Sequence, residues 1–386
     1  MSHARIGESI RTWRNQLPSV KPYYAVKCNP DRNLMSYLSQ HRVGFDCASA
    51  REIQAALGVG ARSEEIVYAN PCKRKEDILD GSVANVRTTV VDDQDEVHKL
   101  GEIGWKGDAL VRLRVDDEGS LVRFGEKFGA AQESLQNIAA SAALKGIKLS
   151  GISFHVGSGC RNPALFARAT EQAIAALPLL HKEGHHGANT IDIGGGFSPD
   201  PADFTVAASQ LRVALATAPQ GLNVIAEPGR YFAARAQDFF VRVIGKKPAL
   251  GPRGGWRYTL DDSLYGQFSC IPFDQARPLW VRVRDPAEPA RKKTAAVLYG
   301  RTCDSVDMIA MTDAAEELEV GDWLWWPYMG AYTTVTATEF NGFPLPQVRI
   351  LETHAQLQLP TPREFHEDAW PTACQYVSAV KVPEMR

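Results

Sequence analysis

Three residues in this 386-residue chain sit where a reactive side chain can be held close to a packed interior. Lys27 lies in PYYAVKCNP between Val26 and Cys28, His155 follows Phe154 in SFHVGSG, and Glu227 follows Ala226 in IAEPGRYF. A lysine at a strand end usually extends its ammonium into water. A partly desolvated one has a lowered pKa and can form an imine with a carbonyl group. Position alone favours the ordinary reading of Lys27, but two glycine-rich spans shift the balance. Gly194, Gly195 and Gly196 in IDIGGGF can turn successive backbone N–H groups toward an anion. Ser158, between two glycines in HVGSG, and Tyr332 in GAYT offer the same anion a hydroxyl each. Three glycines often mark only a tight turn. The motif is not GxGxxG and no acidic residue is placed for a ribose, so a mononucleotide-sized phosphate fits better than a dinucleotide. A buried Glu227 would keep a pyridine nitrogen protonated, whereas an exposed one would simply pair with Arg230. His155 beside them would stack on a flat ring, its commoner fate being that of a satisfied core histidine.

These residues need a scaffold. Eight short apolar or β-branched runs, at 22–27, 43–49, 65–70, 86–93, 109–115, 148–156, 189–196 and 223–229, alternate with stretches of helical period. The second helix opens on Ser49 with Glu52 three positions on, a reciprocal capping pattern. The alternation predicts an α/β fold, a (β/α)8 barrel. Lys27, Asp46, Asn70, Asp92, Arg114, His155 and Glu227 all fall at the C-terminal ends of their runs, the face where such barrels do chemistry. Strands ending where polar loops begin explain Asn70 and Asp92 well, but not Lys27, Arg114, His155 and Glu227, each preceded by an apolar residue. From about residue 236 the helical period disappears. FFVRVIGKK, WRYTLDD, LWVRV, TAAVLYG, GDWLWWP, TTVTATEF and QVRIL read as short strands of an all-β domain, sandwich- or barrel-like. The expected division is therefore 1–235 for the barrel and 236–386 for the β domain, with residues 360–386 a surface-following tail.

Composition excludes several classes. Lys plus Arg (43) against Asp plus Glu (45) leaves a net charge of −2 with no strongly basic run, which disfavours nucleic acid and anionic membranes as partners. Seven cysteines with no CxxC pair argue against a zinc site or a disulfide framework and for a reducing, cytoplasmic setting. No apolar run reaches the ~18 residues of a membrane span, and the start lacks a signal-peptide core.

In order along the chain, PYYAVKCNPD, FDCASAREI, ANPCK, FHVGSGC, IDIGGGF, AEPGRYF, DDSLYGQF, CDSVD and MGAYTTVTATEFNGF resemble the pyridoxal-phosphate-dependent basic amino acid decarboxylases of the alanine-racemase-like fold, most closely the ornithine decarboxylases. The matches run from Pro22 to Phe343. The resemblance implies Lys27 as the cofactor's covalent anchor, His155 stacked on its ring and Glu227 paired with its ring nitrogen. Ser158, Gly195, Gly196, Gly229, Arg230 and Tyr332 would hold the phosphate end, with Asp46 and Arg114 around the cofactor. Cys303 would protonate the carbanion left after CO2 departs. Asp262 and Asp304, with neighbouring Asp261, would take the distal ammonium of a basic amino acid substrate, and Phe340 would line the pocket. It further implies a homodimer whose shared active sites are completed by the β domain, with ornithine converted to putrescine in polyamine biosynthesis. A short Asp in CDS favours a compact ammonium tail.

Three departures from the family pattern stand out. Arg301 replaces a usual proline, and a cation so near Asp304 would weaken ammonium binding or recruit a carboxylate. Ser263 and Ser305 stand where eukaryotic members have glycine. The usual N-terminal strand before the first helix, which here begins near Arg5, is missing, leaving an exposed edge or a truncated start. Lysine, or lysine and ornithine both, is the near alternative as substrate, since one methylene changes selectivity by only ~1–3 kcal/mol. A catalytically silent paralogue acting like an antizyme inhibitor is the alternative from another class. Three further motifs read as structural. KRKED (73–77) is a solvated helix start, HKEGHH (181–186) a helix end and solvated loop, and GDWLWWPYMG β-domain core or dimer contact.

Overall fold

A computed structural model describes residues 1–250, 254–285 and 287–350. They form two compact units, one of Ile6–Ala233 and one of Met1–Arg5 with the chain from Ala234 onward. The tail expected at 360–386, Cys374 and the end of QVRIL lie outside the described residues.

In the first unit eight parallel strands close into a barrel: β1 (Val20–Ala25), β2 (Gly44–Cys47), β3 (Ile66–Tyr68), β4 (Thr88–Val91), β5 (Asp108–Arg112), β6 (Lys148–Ser153), β7 (Thr190–Asp192) and β8 (Asn223–Ala226). Around the barrel the order is β1–β8–β7–β6–β5–β4–β3–β2. Tyr23, Val67, Val90, Leu110 and Ile225 meet as one buried cluster. That apolar filling makes the barrel a packed core with its polar chemistry confined to the ends.

Seven helices follow the first seven strands: α2 (Arg32–Gln40), α3 (Ala50–Gly58), α4 (Lys75–Val83), α5 (Gln94–Ile103), α6 (Leu135–Leu144), α7 (Ala164–Lys182) and α8 (Pro201–Ala216). At α3 the Ser49 hydroxyl accepts the Glu52 N–H (3.3 Å) while the Glu52 carboxylate accepts the Ala48 N–H (2.6 Å). The capping exchange is reciprocal, but Glu52 reaches one residue before the cap. After β8 the chain makes one short turn, Arg230–Ala233, and leaves. The missing eighth helix is supplied by α1 (His3–Gln16), which precedes β1. Its Trp13 stacks on Phe204 of α8 with centroids 5.4 Å apart and donates from Nε1 to Val20 O at 2.9 Å. The Tyr231 hydroxyl donates to Ser9 O (2.9 Å), and Arg212 of α8 donates to Gln16 O (2.8 Å).

Several strands stop earlier than their composition suggests. Lys27 lies in a 3-10 turn, Val26–Cys28, just past β1, and β6 ends at Ser153, so His155 belongs to the following loop. That loop pairs Ser158–Cys160 with Ser120–Val122 as a small antiparallel ribbon that no sequence pattern announced. KRKED does not begin as a solvated segment, because Lys73 is buried. Its ammonium donates to Asn70 O (2.8 Å) and Val90 O (2.9 Å) and pairs with buried Glu96 at 2.9 Å. His185 of HKEGHH is buried as well, its Nδ1 accepting Leu149 N–H (3.2 Å) and its Nε2 reaching Ala139 O (2.9 Å). Both residues spend their polarity on main-chain groups of neighbouring elements, which composition cannot reveal. Among the described residues no His, Cys, Asp and Glu are grouped to hold a metal, and no helix is long and apolar enough to cross a membrane.

In the second unit six strands form one sheet: β9 (Phe239–Pro248), β10 (Trp256–Leu260), β11 (Val281–Arg282), β12 (Lys293–Tyr299), β13 (Met308–Glu316) and β14 (Trp323–Trp326), ordered β11–β14–β9–β10–β12–β13. β9 pairs through Phe239–Arg242 with β14 and, past a register shift at Val243/Gly245, with β10. Such an irregularity bends the strand, so one strand serves both halves of the sheet. Leu324 and Trp326 of GDWLWWP are fully buried in its core with Tyr258 and Phe268. TTVTATEF is not a strand: it holds the 3-10 turn Thr334–Thr336 and ends where a second, Phe340–Gly342, begins, and residues 347–350 of QVRIL are in no strand either. β13, by contrast, was missed, because its alternation is broken by Asp313 and two alanines.

The Lys73–Glu96 pair yields a stability test. Glu96→Ala leaves a buried ammonium without its counter-charge and is expected to cost about 3–5 kcal/mol in a urea melt. Lys73→Met with Glu96→Leu should recover much of that loss.

Candidate active site

At the C-terminal mouth of the barrel, four strand ends and two turns bring charged groups together. Asp46 is the last residue but one of β2, Arg112 ends β5 and Asp192 ends β7, while Glu227 follows β8 directly. Lys27 Nζ lies 3.0 Å from Asp46 Oδ2. Asp46 is buried, and its Oδ1 has no hydrogen-bond partner. Burial raises the Asp192 carboxyl to about 7 against the Gly194 N–H donated to its Oδ1 (2.9 Å). Glu227 is likewise pushed well above the usual carboxylate range by burial and by the negative charges of Asp192 and Asp46. Asp192 and Glu227 hydrogen-bond each other, so the pair holds a proton at neutral pH. Burial, aided by the cations of Arg112 and Lys27, holds His155 well below its ordinary value. Its ring is therefore neutral, with Nδ1 accepting the Gly157 N–H (3.0 Å) and Phe124 edge-on at 4.8 Å.

The loops beside this cluster are shaped for a ligand. Arg230 Nη2 donates to Ser158 Oγ at 2.8 Å rather than pairing with Glu227. A Cβ on Gly195 would meet Glu227 O at 2.7 Å and His155 Nε2 at 3.0 Å, and one on Gly196 would meet Gly157 O at 2.4 Å. Side chains there would fill the space next to the imidazole. Gly229 packs under the Lys27 turn, where a Cβ would lie 3.0 Å from that of Cys28.

Arg114 does not join the cluster. The β5 strand stops at Arg112, two residues before the sequence run suggested, and Arg114 lies exposed in the loop with its N–H bonded to Ala130 O. Arg112 takes the inward position among Glu227, Asp92, Asp46 and Asp192, its guanidinium 4.8 Å from the Phe128 ring centre. Sequence reasoning missed Arg112 and also Asp192. The second was legible as the polar residue at the end of the IDIGGG strand.

The other expected residues lie in the second unit. Asp304 accepts hydrogen bonds from the Tyr265 hydroxyl on Oδ2 and from Val306 N–H on Oδ1 (3.1 Å). Tyr265 stacks on Phe340 with centroids 4.3 Å apart. Cys303 is exposed, its N–H held by Asn341 Oδ1 at 2.9 Å. Asp262 is buried, with Oδ1 accepting the N–H groups of Ser263 (2.6 Å) and Gln267 (2.9 Å), and burial pushes it up to about 6. Asp261 bonds the Arg242 N–H (2.8 Å) across the sheet. Arg301, the departure that threatened Asp304, is occupied elsewhere: its guanidinium lies over Phe343 at 4.4 Å and donates to Pro344 O (3.1 Å). Asp307, overlooked in CDSVD, is buried and joins Leu264 N–H (2.8 Å) to the Thr302 hydroxyl (2.6 Å). Tyr332 belongs to this unit too, at φ +55°, with its carbonyl bonded to the Thr336 hydroxyl at 2.9 Å.

Residues 3–234 match the model of the pyridoxal-dependent decarboxylase family, in its pyridoxal binding domain. The chain belongs to that family. This decarboxylase is 35% identical over 378 residues to the ornithine decarboxylase of Neurospora crassa, the match covering 88% of this chain and 78% of the relative. It superposes on the arginine decarboxylase of Paramecium bursaria Chlorella virus with a TM-score of 0.86 at 33% identity, covering 91% and 95% of the two chains. The lysine/ornithine decarboxylase of Vibrio vulnificus, solved with putrescine, gives 0.82 at 32%, covering 91% and 93%.

The decarboxylase's cofactor is pyridoxal phosphate, and the barrel mouth fits it. Burial and the neighbouring negative charges keep a proton on Glu227 and Asp192, a cost that a protonated ring nitrogen would relieve. The glycine-lined space beside neutral His155 admits a flat ring.

The buried pair also makes stability depend on pH. A carboxyl whose folded pKa is raised keeps its proton longer in the folded state, so its contribution is full at low pH and is lost as pH rises through the folded value. For cofactor-free protein, urea midpoints are expected to fall as pH rises from the ordinary value of 3.8 to the Asp192 value of about 7, and to level off above it. Asp192→Asn should flatten that slope.

Proposed function

We propose that this decarboxylase converts L-ornithine to putrescine and CO2. The observation that carries this reading is the charge of the second unit's loop. Asp304 stands held by a tyrosine and an amide, while the nearby cation Arg301 is committed to Phe343 and Pro344. An anion so placed suits a short aliphatic ammonium, and a carboxylate-ended amine would meet repulsion.

Lys27 would anchor the cofactor, and Asp46, which holds its ammonium at 3.0 Å, would be the group placed to accept the proton that Nζ must give up. Glu227, beside Asp192, would hold the ring nitrogen's proton, and neutral His155 would lie against the ring. Ser158, Gly195, Gly196, Gly229, Arg230 and Tyr332 would hold the phosphate, and Arg112 would take the place expected of Arg114. When bound, the cofactor accepts the electron pair released as CO2 leaves. Asp304, with Asp262 as the second acid and Phe340 lining the pocket, would fix the distal ammonium, so that remote binding energy orients the bond to be broken. The Cys303 thiol returns a proton to the substrate's α-carbon. Two copies of the chain assemble in this reading, Cys303 and Asp304 of one serving the barrel of the other. None of the six described cysteines is in a disulfide, in keeping with a reducing, cytoplasmic setting.

Purified protein should show a visible absorbance band that is lost in Lys27→Ala, and should release CO2 from L-ornithine faster than from L-lysine. A lysine preference transfers the same chemistry to the longer substrate, as the name of the Vibrio vulnificus neighbour suggests. A chain with neither band nor CO2 release would act instead as a silent regulator. Cys303→Ala should keep the band and lower kcat about 100-fold, the size of a lost general acid.

A further inference from the structure

We propose that Tyr265 is a positioning residue that sets the reach of the substrate pocket by fixing Asp304. The inference rests on the reading of Asp304 as the acceptor of the distal ammonium.

Tyr265 is held on every side that matters. Its ring lies on Phe340 at 4.3 Å with the planes 27° apart. Its N–H donates to Ser263 Oγ (3.2 Å), and its carbonyl accepts the Thr338 N–H (2.7 Å). From that fixed point its hydroxyl donates to Asp304 Oδ2, while Val306 N–H occupies one lone pair of Oδ1. The Asp304 carbonyl accepts Asp307 N–H at 3.2 Å, and Asp307 is itself buried and bonded to Leu264 and Thr302. Each carboxylate oxygen of Asp304 thus has one donor and keeps a lone pair for an ammonium. A carboxylate held in this way cannot follow a longer or shorter substrate, so chain length is read by position. The tyrosine also keeps Asp304 strongly acidic, its hydrogen bond being the first cause of the lowered pKa. Arg301 lies three residues before Asp304, and without the hydroxyl the carboxylate is released to swing toward it.

The test is steady-state kinetics of the holoenzyme with L-ornithine and L-lysine. Tyr265→Phe keeps the ring stack and removes only the hydroxyl. KM for the preferred substrate should rise about tenfold or more, the worth of a hydrogen bond to a charged group. kcat should change by less than about twofold, and the cofactor's absorbance should not change. The preference between the two substrates should shrink, and the acidic limb of kcat/KM should move to higher pH as Asp304 loses its donor. In the Asp304→Asn background the same substitution should add little, because paired residues are not additive. Unchanged KM and unchanged acidic limb in Tyr265→Phe would overturn the proposal. So would full additivity with Asp304→Asn, or a fall in kcat accompanied by loss of the absorbance band. An inactive wild-type chain would instead remove the functional reading beneath it.

Discussion

Three carboxyl groups, those of Asp46, Asp192 and Glu227, share the mouth of the barrel with the cations of Lys27 and Arg112. Charge buried in this way has to be neutralised, and with Lys27 committed to Asp46 the remaining pair retains a proton. Much else follows from that shortage of positive charge. It gives Glu227 affinity for a cationic ring nitrogen. His155 does not make up the shortage, because burial, reinforced by Arg112 and Lys27, keeps its ring uncharged. The barrel supplies the rigidity this needs, since each of the acids lies in the last two residues of a strand or directly after one.

How much of this could be read from the sequence depended on whether a residue's partner was local. The eight-strand alternation was legible because parallel strands buried on both faces are almost continuously apolar. Lys27, His155 and Glu227 were legible because each interrupts an apolar run. Arg112 and Arg114 are two apart on the same run, and nothing in the letters says where the strand ends. The error of two residues moved the assignment from the buried guanidinium to an exposed one. Lys73 and His185 were misjudged for a related reason: a polar residue in a polar stretch looks solvated until its partners, Val90 and Glu96 or Ala139 and Leu149, are known.

The second unit stores its information differently. Its candidate site residues sit on loops rather than at strand ends, and the loops are knitted by buried acids. Asp262 gathers two amides, and Asp307 bridges the segments on either side. CDSVD therefore carries two duties within five residues, one aspartate turned to a candidate ligand and one turned inward. The pattern of an acidic turn was plain in the sequence, but the division of labour was not. The side chain that Arg301 could disturb is shielded by tyrosine chemistry from DDSLYGQF and by the phenylalanine of NGF, motifs far apart in the chain.

The helix that completes the ring around the barrel precedes all eight of its strands in the chain. α1 finds its partners in Phe204, Arg212 and Tyr231, about two hundred residues further along. At a synthesis rate of ~5–20 residues per second, that is roughly 10–40 s in which the face of α1 that carries Trp13 lacks its partners in α8 and the Arg230–Ala233 turn. The ring around the barrel closes only once those residues have emerged. Chaperone engagement of the nascent chain would concentrate in that interval, on the face that Trp13 later buries.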